Sequence, residues 1–139
     1  MSMMSSADVE EFRSTVRAFA RATYLDGYLQ RAHSDEYPRE NLTVLGANGL
    51  LALGIPEEHG GGGDIGASIA AFETLAFGDL SVLVKVGVQF GLFGGAVARL
   101  GSARHHDQVL SGIMNAEILG SFAMTEIGHG SNVQRLETT

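Results

Sequence analysis

The residues best suited to hold a ligand form a glycine-containing turn near the carboxyl end of the sequence. The segment 128–131, Gly-His-Gly-Ser, follows the apolar run 118–124, which predicts a strand. Such a turn can present backbone N–H groups and a hydroxyl to a phosphate oxygen. It is not a dinucleotide motif, because Val133 replaces the third glycine of G-x-G-x-x-G, and no lysine follows as in a P-loop. The spacing alone leaves two interpretations open, an anion-binding turn and an ordinary tight turn.

Other residues with reactive or metal-binding side chains offer no second site. The sequence contains no cysteine, which excludes disulfides and thiolate metal ligands. The adjacent His105 and His106 fall on a predicted helix and would point about 100° apart, so we expect no metal site there. Glu126 lies beside the turn and is expected to anchor backbone amides rather than to act as a base. We therefore assign no catalytic residue in this chain.

Composition narrows the possible partners. The 139 residues carry a net charge of −7 with only 9 lysines and arginines, which argues against a nucleic-acid surface. The first eleven residues contain neither a basic region nor an apolar run, so no secretory signal is expected. Cytosol is the expected compartment.

The hydrophobic pattern predicts an all-α fold. Apolar residues at helical spacing indicate about five helices, over approximately 7–30, 42–50, 65–77, 82–100 and 103–115. Asp64, Ser81 and Ser102 are the predicted caps of the last three. The predicted apolar face of the third helix consists of Ile65, Ile69, Phe72 and Ala76. We expect residues 1–116 to be a helical bundle and 117–139 to begin a β-domain that the chain does not complete.

The fourth predicted helix, 82–100, is apolar enough to raise the question of a membrane span. Lys85 lies one turn inside it, Gln89 is central and several glycines dilute its hydrophobicity, so a buried core helix is expected instead. The glycines leave room along one side. The sequence leaves open whether that room is a slot for an acyl chain or a close contact between helices.

Two segments carry a resemblance to a known family. The first, at 120–133, reads Gly-Ser-Phe-Ala-Met-Thr-Glu-Ile-Gly-His-Gly-Ser-Asn-Val, and the second, at 45–61, ends in Gly-Ile-Pro-Glu-Glu-His-Gly-Gly. Both resemble landmarks of the acyl-CoA dehydrogenase and oxidase superfamily. The Gly-His-Gly-Ser-Asn segment and the tail 136–139 are more similar to the oxidase branch.

This resemblance implies an FAD-dependent enzyme that converts acyl-CoA into trans-2-enoyl-CoA in fatty-acid β-oxidation. Met124 and Thr125 match positions that contact the flavin ring. Gly130 and Ser131 match positions near the flavin diphosphate and the acyl-CoA, which implies that Ser131 also binds the substrate. The family's catalytic carboxylate belongs to a later helical domain, so this chain alone is expected to be inactive. The full-length protein is expected to be a homo-oligomer.

Two questions stay open from the sequence. The first is the identity of the electron acceptor, which is oxygen in an oxidase and a different acceptor in a dehydrogenase. The alternative to an enzyme is a non-catalytic helical module, for binding or assembly, derived from the same fold.

Overall fold

The computed structural model describes residues 5–36 and 38–138, and these residues form six helices. They are α1 Ser6–Tyr24, α2 Tyr28–Ala32, α3 Glu40–Ala47, α4 Ile65–Leu75, α5 Leu80–Leu100 and α6, residues 103–114. The all-α prediction is confirmed. The predicted domains include residues 1–4, 37 and 139, which lie outside the described ones.

Helix α1 is capped at its start and buries one apolar face, but it is shorter than predicted. A capping box joins Ser5 and Asp8 at its start, and Val16, Ala20 and Tyr24 are buried against α4. The predicted continuation to residue 30 is wrong, because Gly27 adopts a left-handed conformation (φ +75°) and separates α1 from α2.

Helix α4 begins as predicted, with the Asp64 Oδ1 accepting a hydrogen bond from the Ala67 N–H at 2.8 Å. Its inward face matches the predicted apolar face only in part, since Phe72 is half-buried against the main core. Ile65 and Ile69 are more than half exposed, whereas the buried face consists of smaller residues and Leu75. Helix α4 packs between α1 and α5, and small side chains allow that close approach.

Helix α5 is the long apolar helix of the fold. Its middle part, Gly87–Gly94, is π-helical, with α-helical turns before and after it. By length and composition α5 could cross a membrane. However, Val82 and Val86 lie in the main core, and α5 packs against α3, α4 and α6, so it is a core helix of this domain.

The residue that caps α5 is Asp79 rather than Ser81. Its Oδ1 accepts hydrogen bonds from the N–H groups of Ser81 (2.8 Å) and Val82 (3.3 Å). Its Oδ2 accepts a hydrogen bond from the Arg31 Nε at 2.8 Å. Arg31 also donates to the carbonyl oxygens of Asp26 and Tyr24. One buried carboxylate therefore connects the start of α5 to the segment that joins α1 and α2.

The chain leaves the helical bundle after α6 and continues without regular secondary structure as far as residue 126. Asn115 and Ala116 end the helix, Ala116 with a positive φ of 58°, and residues 119–126 belong to no helix. The predicted strand does not form within the described residues. A strand is defined by ladder hydrogen bonds to another extended segment, and no extended segment within the described residues pairs with this one.

We expect Arg31→Met to lower the free energy of unfolding by roughly 2–3 kcal/mol, because it leaves the Asp79 carboxylate buried without its cationic partner. Urea denaturation of the 139-residue chain measures this change. Arg13→Met is the matched control, since its pair with Glu73 is more exposed and contributes only about 0–1 kcal/mol. Equal effects of the two substitutions would contradict the role given to Asp79.

A second pair of variants tests the packing of α3 against the end of α6. A Cβ added at Gly46 would lie 2.5 Å from the Asn115 carbonyl carbon, so Gly46→Ala forces the backbone apart and should cost about 1–3 kcal/mol. A Cβ at Gly91 meets no atom within 4 Å, and Gly91→Ala should stabilise α5 by roughly 0.5–1 kcal/mol. Thermal unfolding of both variants measures the difference, and stabilisation by Gly46→Ala would refute this packing.

Candidate functional site

The predicted site residues all lie on one segment, residues 119–138, which we call the arm. Met124, Thr125, Gly130 and Ser131 are exposed there. Within the described chain, none of their N–H groups donates a hydrogen bond, and neither hydroxyl is bonded. The arm therefore presents free polar groups, and the structure places these residues without bringing a protein partner to them.

The distal part of the arm is closed into a loop by Glu126. Its carboxylate accepts hydrogen bonds from the N–H groups of Glu137 (2.9 Å) and Thr138 (2.7 Å), and from the Thr138 hydroxyl. These hydrogen bonds, the Thr138 hydroxyl first, lower the pKa of Glu126 below its ordinary value of 4.5. The expected role of Glu126 as an anchor for backbone amides is what the structure shows.

The turn itself has the predicted character. Gly128 has a φ of +92°, a conformation that glycine adopts without strain, and the His129 N–H donates to the Glu126 carbonyl oxygen at 3.2 Å. The loop from 127 to 136 thereby exposes Gly130 and Ser131 at its surface. Phe122, Met124 and Ile127 are exposed apolar residues on the same arm.

The base of the arm is held by a residue that sequence reasoning did not single out as functional. Gln89, only 2 % exposed, donates through Nε2 to the carbonyl oxygens of Ile113 (3.1 Å) and Ile118 (2.6 Å). Its Oε1 accepts a hydrogen bond from the Gly120 N–H at 3.0 Å. The available signal was one amide in the middle of an apolar helix, since a buried amide must find partners.

A cleft of about 680 Å³ lies beside α5, between its π-helical part and the loop that begins at Gly54. Gly91 and Gly95 line it, and Phe122 of the arm reaches its wall. A smaller cleft of about 330 Å³ adjoins Gln89 and shares Phe122 with the first. The glycines of α5 serve both purposes left open by the sequence. A Cβ added at Gly91 would meet no atom within 4 Å, whereas a Cβ added at Gly94 would lie 3.2 Å from the Ile113 side chain.

The histidines form no metal site in the part of the chain that the structure describes. The rings of His59 and His106 lie 4.1 Å apart, and the His106 Nε2 is 3.0 Å from the Val97 carbonyl oxygen. No group of three or more His, Asp and Glu residues is close enough to hold an ion among the described residues. The expectation of no metal stays a prediction.

Comparison with known proteins identifies the family. The acyl-CoA dehydrogenase N-terminal domain family matches residues 6–117, which is most of the chain. The chain belongs to this family. The match includes all six helices and ends at residue 117, two residues before the arm.

Two curated relatives show both branches of the superfamily. Peroxisomal acyl-coenzyme A oxidase 2 of Arabidopsis thaliana is 49% identical over 70 residues, covering 50% of this chain and 10% of the relative. Mitochondrial short-chain specific acyl-CoA dehydrogenase of Rattus norvegicus is 31% identical over 128 residues, covering 91% of this chain and 31% of the relative. The higher identity to the oxidase supports the oxidase branch. The chain spans about a tenth to a third of the length of these relatives.

A solved structure supports the fold directly. Glutaryl-CoA dehydrogenase from Mycobacterium smegmatis superimposes with a TM-score of 0.85 at 29% identity, over 96% of this chain and 35% of that one. The helices described above are therefore arranged as in this dehydrogenase. The relatives' names do not confirm the cytosolic expectation, since they specify peroxisome or mitochondrion.

The Glu126 anchor predicts a pH dependence for the end of the arm. Because the pKa of Glu126 is lowered in the folded chain, its hydrogen bonds are fully present above pH 4.5 and are lost as the pH falls through the lower folded value. The amide chemical shift of Thr138 should therefore titrate with a midpoint below 4.5. In Glu126→Gln this titration should disappear, whereas Glu137→Gln should retain it. A midpoint above the ordinary value would contradict the anchor.

Proposed function

We propose that the chain is the N-terminal part of an FAD-dependent acyl-CoA oxidase. The observation that carries the proposal is the family match over residues 6–117, followed by an arm whose sequence resembles the superfamily's flavin-contacting segment. The reaction is the α,β-dehydrogenation of an acyl-CoA to a trans-2-enoyl-CoA in fatty-acid β-oxidation. The base that removes the α-proton belongs to a part of the enzyme outside this sequence.

The chemistry of the arm suits a flavin. Bound FAD supplies hydride acceptance, and the protein supplies orientation and exclusion of water. Thr125 offers a hydroxyl, and the N–H groups of Met124 and Thr125 have no acceptor in the described chain, so they are available to the polar edge of a ring. Gly130 and Ser131 offer free amides and a hydroxyl to the diphosphate, and Ser131 also to the acyl-CoA. These residues would hold the flavin and the substrate without taking part in the chemistry.

The cleft beside α5 suits an acyl chain. Its wall is mainly apolar, and the glycines at 91 and 95 leave space where side chains would otherwise stand. The cleft adjoins Phe122 on the arm, so a chain lying in it would lead toward the proposed flavin contacts. We propose this groove as the acyl-chain slot.

Three further features of the full protein are part of the proposal. Residues 1–116 would be the helical domain and 117–139 the start of a β-domain, consistent with a family match that ends at 117. The β-domain would cover Phe122 and Met124, and the assembled enzyme would be a homo-oligomer. The names of the plant and rat relatives specify an organelle, whereas the cytosol is the compartment expected from the sequence, and a fluorescent fusion of the full reading frame distinguishes these compartments.

Expression of the full reading frame tests the function. We expect a yellow protein that releases hydrogen peroxide when acyl-CoAs are added. Turnover only with an artificial electron acceptor would instead establish a dehydrogenase. A colourless and inert protein would contradict the proposal and favour the helical binding or assembly module.

Thr125 can be tested separately in that protein. Thr125→Val keeps the shape of the side chain but removes one hydrogen bond to the flavin, so FAD affinity should fall about fivefold, corresponding to about 1 kcal/mol. Equilibrium dialysis with FAD measures the change. Thr15→Val is the control, because the Thr15 hydroxyl bonds only within α1. Unchanged affinity in Thr125→Val would remove Thr125 from the site.

A further inference from the structure

Three contacts at residues 118–120 attach the arm to the helical body. The Ile118 N–H donates to the Gly112 carbonyl oxygen at 2.8 Å. The Gln89 amide bridges the Ile118 carbonyl oxygen and the Gly120 N–H. The Phe93 ring covers Gly120 so closely that an added Cβ would lie 1.9 Å from it. Beyond Gly120, no described residue from 121 to 125 makes a hydrogen bond to the body.

The direction of the arm therefore depends on the contacts at its base, residues 118–120. Residues 121–125 have no polar attachment of their own, so a rotation at Gly120 would displace Thr125 by several ångströms over five residues, each spanning up to about 3.4 Å. Among the described residues, Gln89 is the polar side chain that holds residues 118–120, and its three hydrogen bonds use both ends of the amide. The Arg39 guanidinium donates to the carbonyl oxygen of Glu117, just before this stretch. Buried polar networks of this kind specify one arrangement when every member is satisfied.

Gln89 also belongs to the wall of the smaller cleft, with Ser121 and Phe122 of the arm. Helix α5 therefore contributes both the groove and the support of the arm from adjacent turns. We propose that Gln89 is a positioning residue, which sets the distance between the acyl-chain slot and the flavin-contacting residues by fixing the backbone of residues 118–120. This inference rests on the proposed function, and it assigns Gln89 no contact with the reacting atoms.

The first test needs neither flavin nor activity. In the 139-residue chain, Gln89→Met retains the size of the side chain but removes the acceptor of the Gly120 N–H. Amide hydrogen exchange at Gly120 should become at least about tenfold faster, while the Ala67 N–H, bonded to the Asp64 side chain, serves as the internal reference. Unchanged exchange at Gly120 in a folded variant overturns the proposal.

The second test uses the full-length enzyme with bound FAD. We expect Gln89→Met to shift the visible flavin absorption bands and to lower kcat by about ten- to a hundredfold, since a misplacement of about 1 Å can cost about a hundredfold, while KM changes less than about threefold. Gln30→Met, at an exposed glutamine on α2, is the control and should match the wild type. If Gln89→Met does not fold, Gln89→Asn keeps the buried amide but shortens its reach, and the same changes are expected.

The outcomes separate this inference from the function on which it rests. A yellow, active wild type whose folded Gln89 variant has an unchanged flavin spectrum and kcat overturns the role of Gln89 alone. A loss of thermal stability with unchanged spectrum and kcat does the same, since it shows a purely structural role. A colourless and inert wild type overturns the proposed function and this inference together.

Discussion

The buried carboxylate of Asp79 is the constraint on which the rest of the domain depends. One oxygen caps α5 and the other binds Arg31, which in turn holds the end of α1. A carboxylate that is 3% exposed is tolerated only because all of these partners are present. They fix the start of α5 and connect it to the segment that joins α1 and α2.

Once α5 is placed, the features with functional meaning follow along it. Val82 and Val86 enter the main core, Gln89 turns toward the end of α6, and Gly91 is left facing a cleft. The arm starts where Gln89 holds the backbone, so the groove and the arm share one support. The function proposed above depends on both features, the groove for an apolar chain and the exposed polar groups of the arm for a flavin.

Features that depend only on residues close together in the chain could be predicted from the sequence. The cap at Asp64 and the turn at Gly128 were predictable, because each depends on one residue and its immediate neighbours. The inward face of α4 was not, because a helix with apolar residues on several sides can bury either a bulky or a small face. The cap of α5 was misplaced by two residues, since Asp79 and Ser81 are both good caps and Arg31 favours the former.

By itself the sequence determined the helical class, the positions of most helices and the family, because periodicity and short motifs depend on residues close together in the chain. Only the tertiary structure decided which glycines pack and which leave a groove, and that Gln89 joins three backbone groups lying 24 to 31 residues away. The reason is that a buried polar group must satisfy its hydrogen bonds with whatever folding brings beside it, and that neighbourhood is not encoded in local spacing.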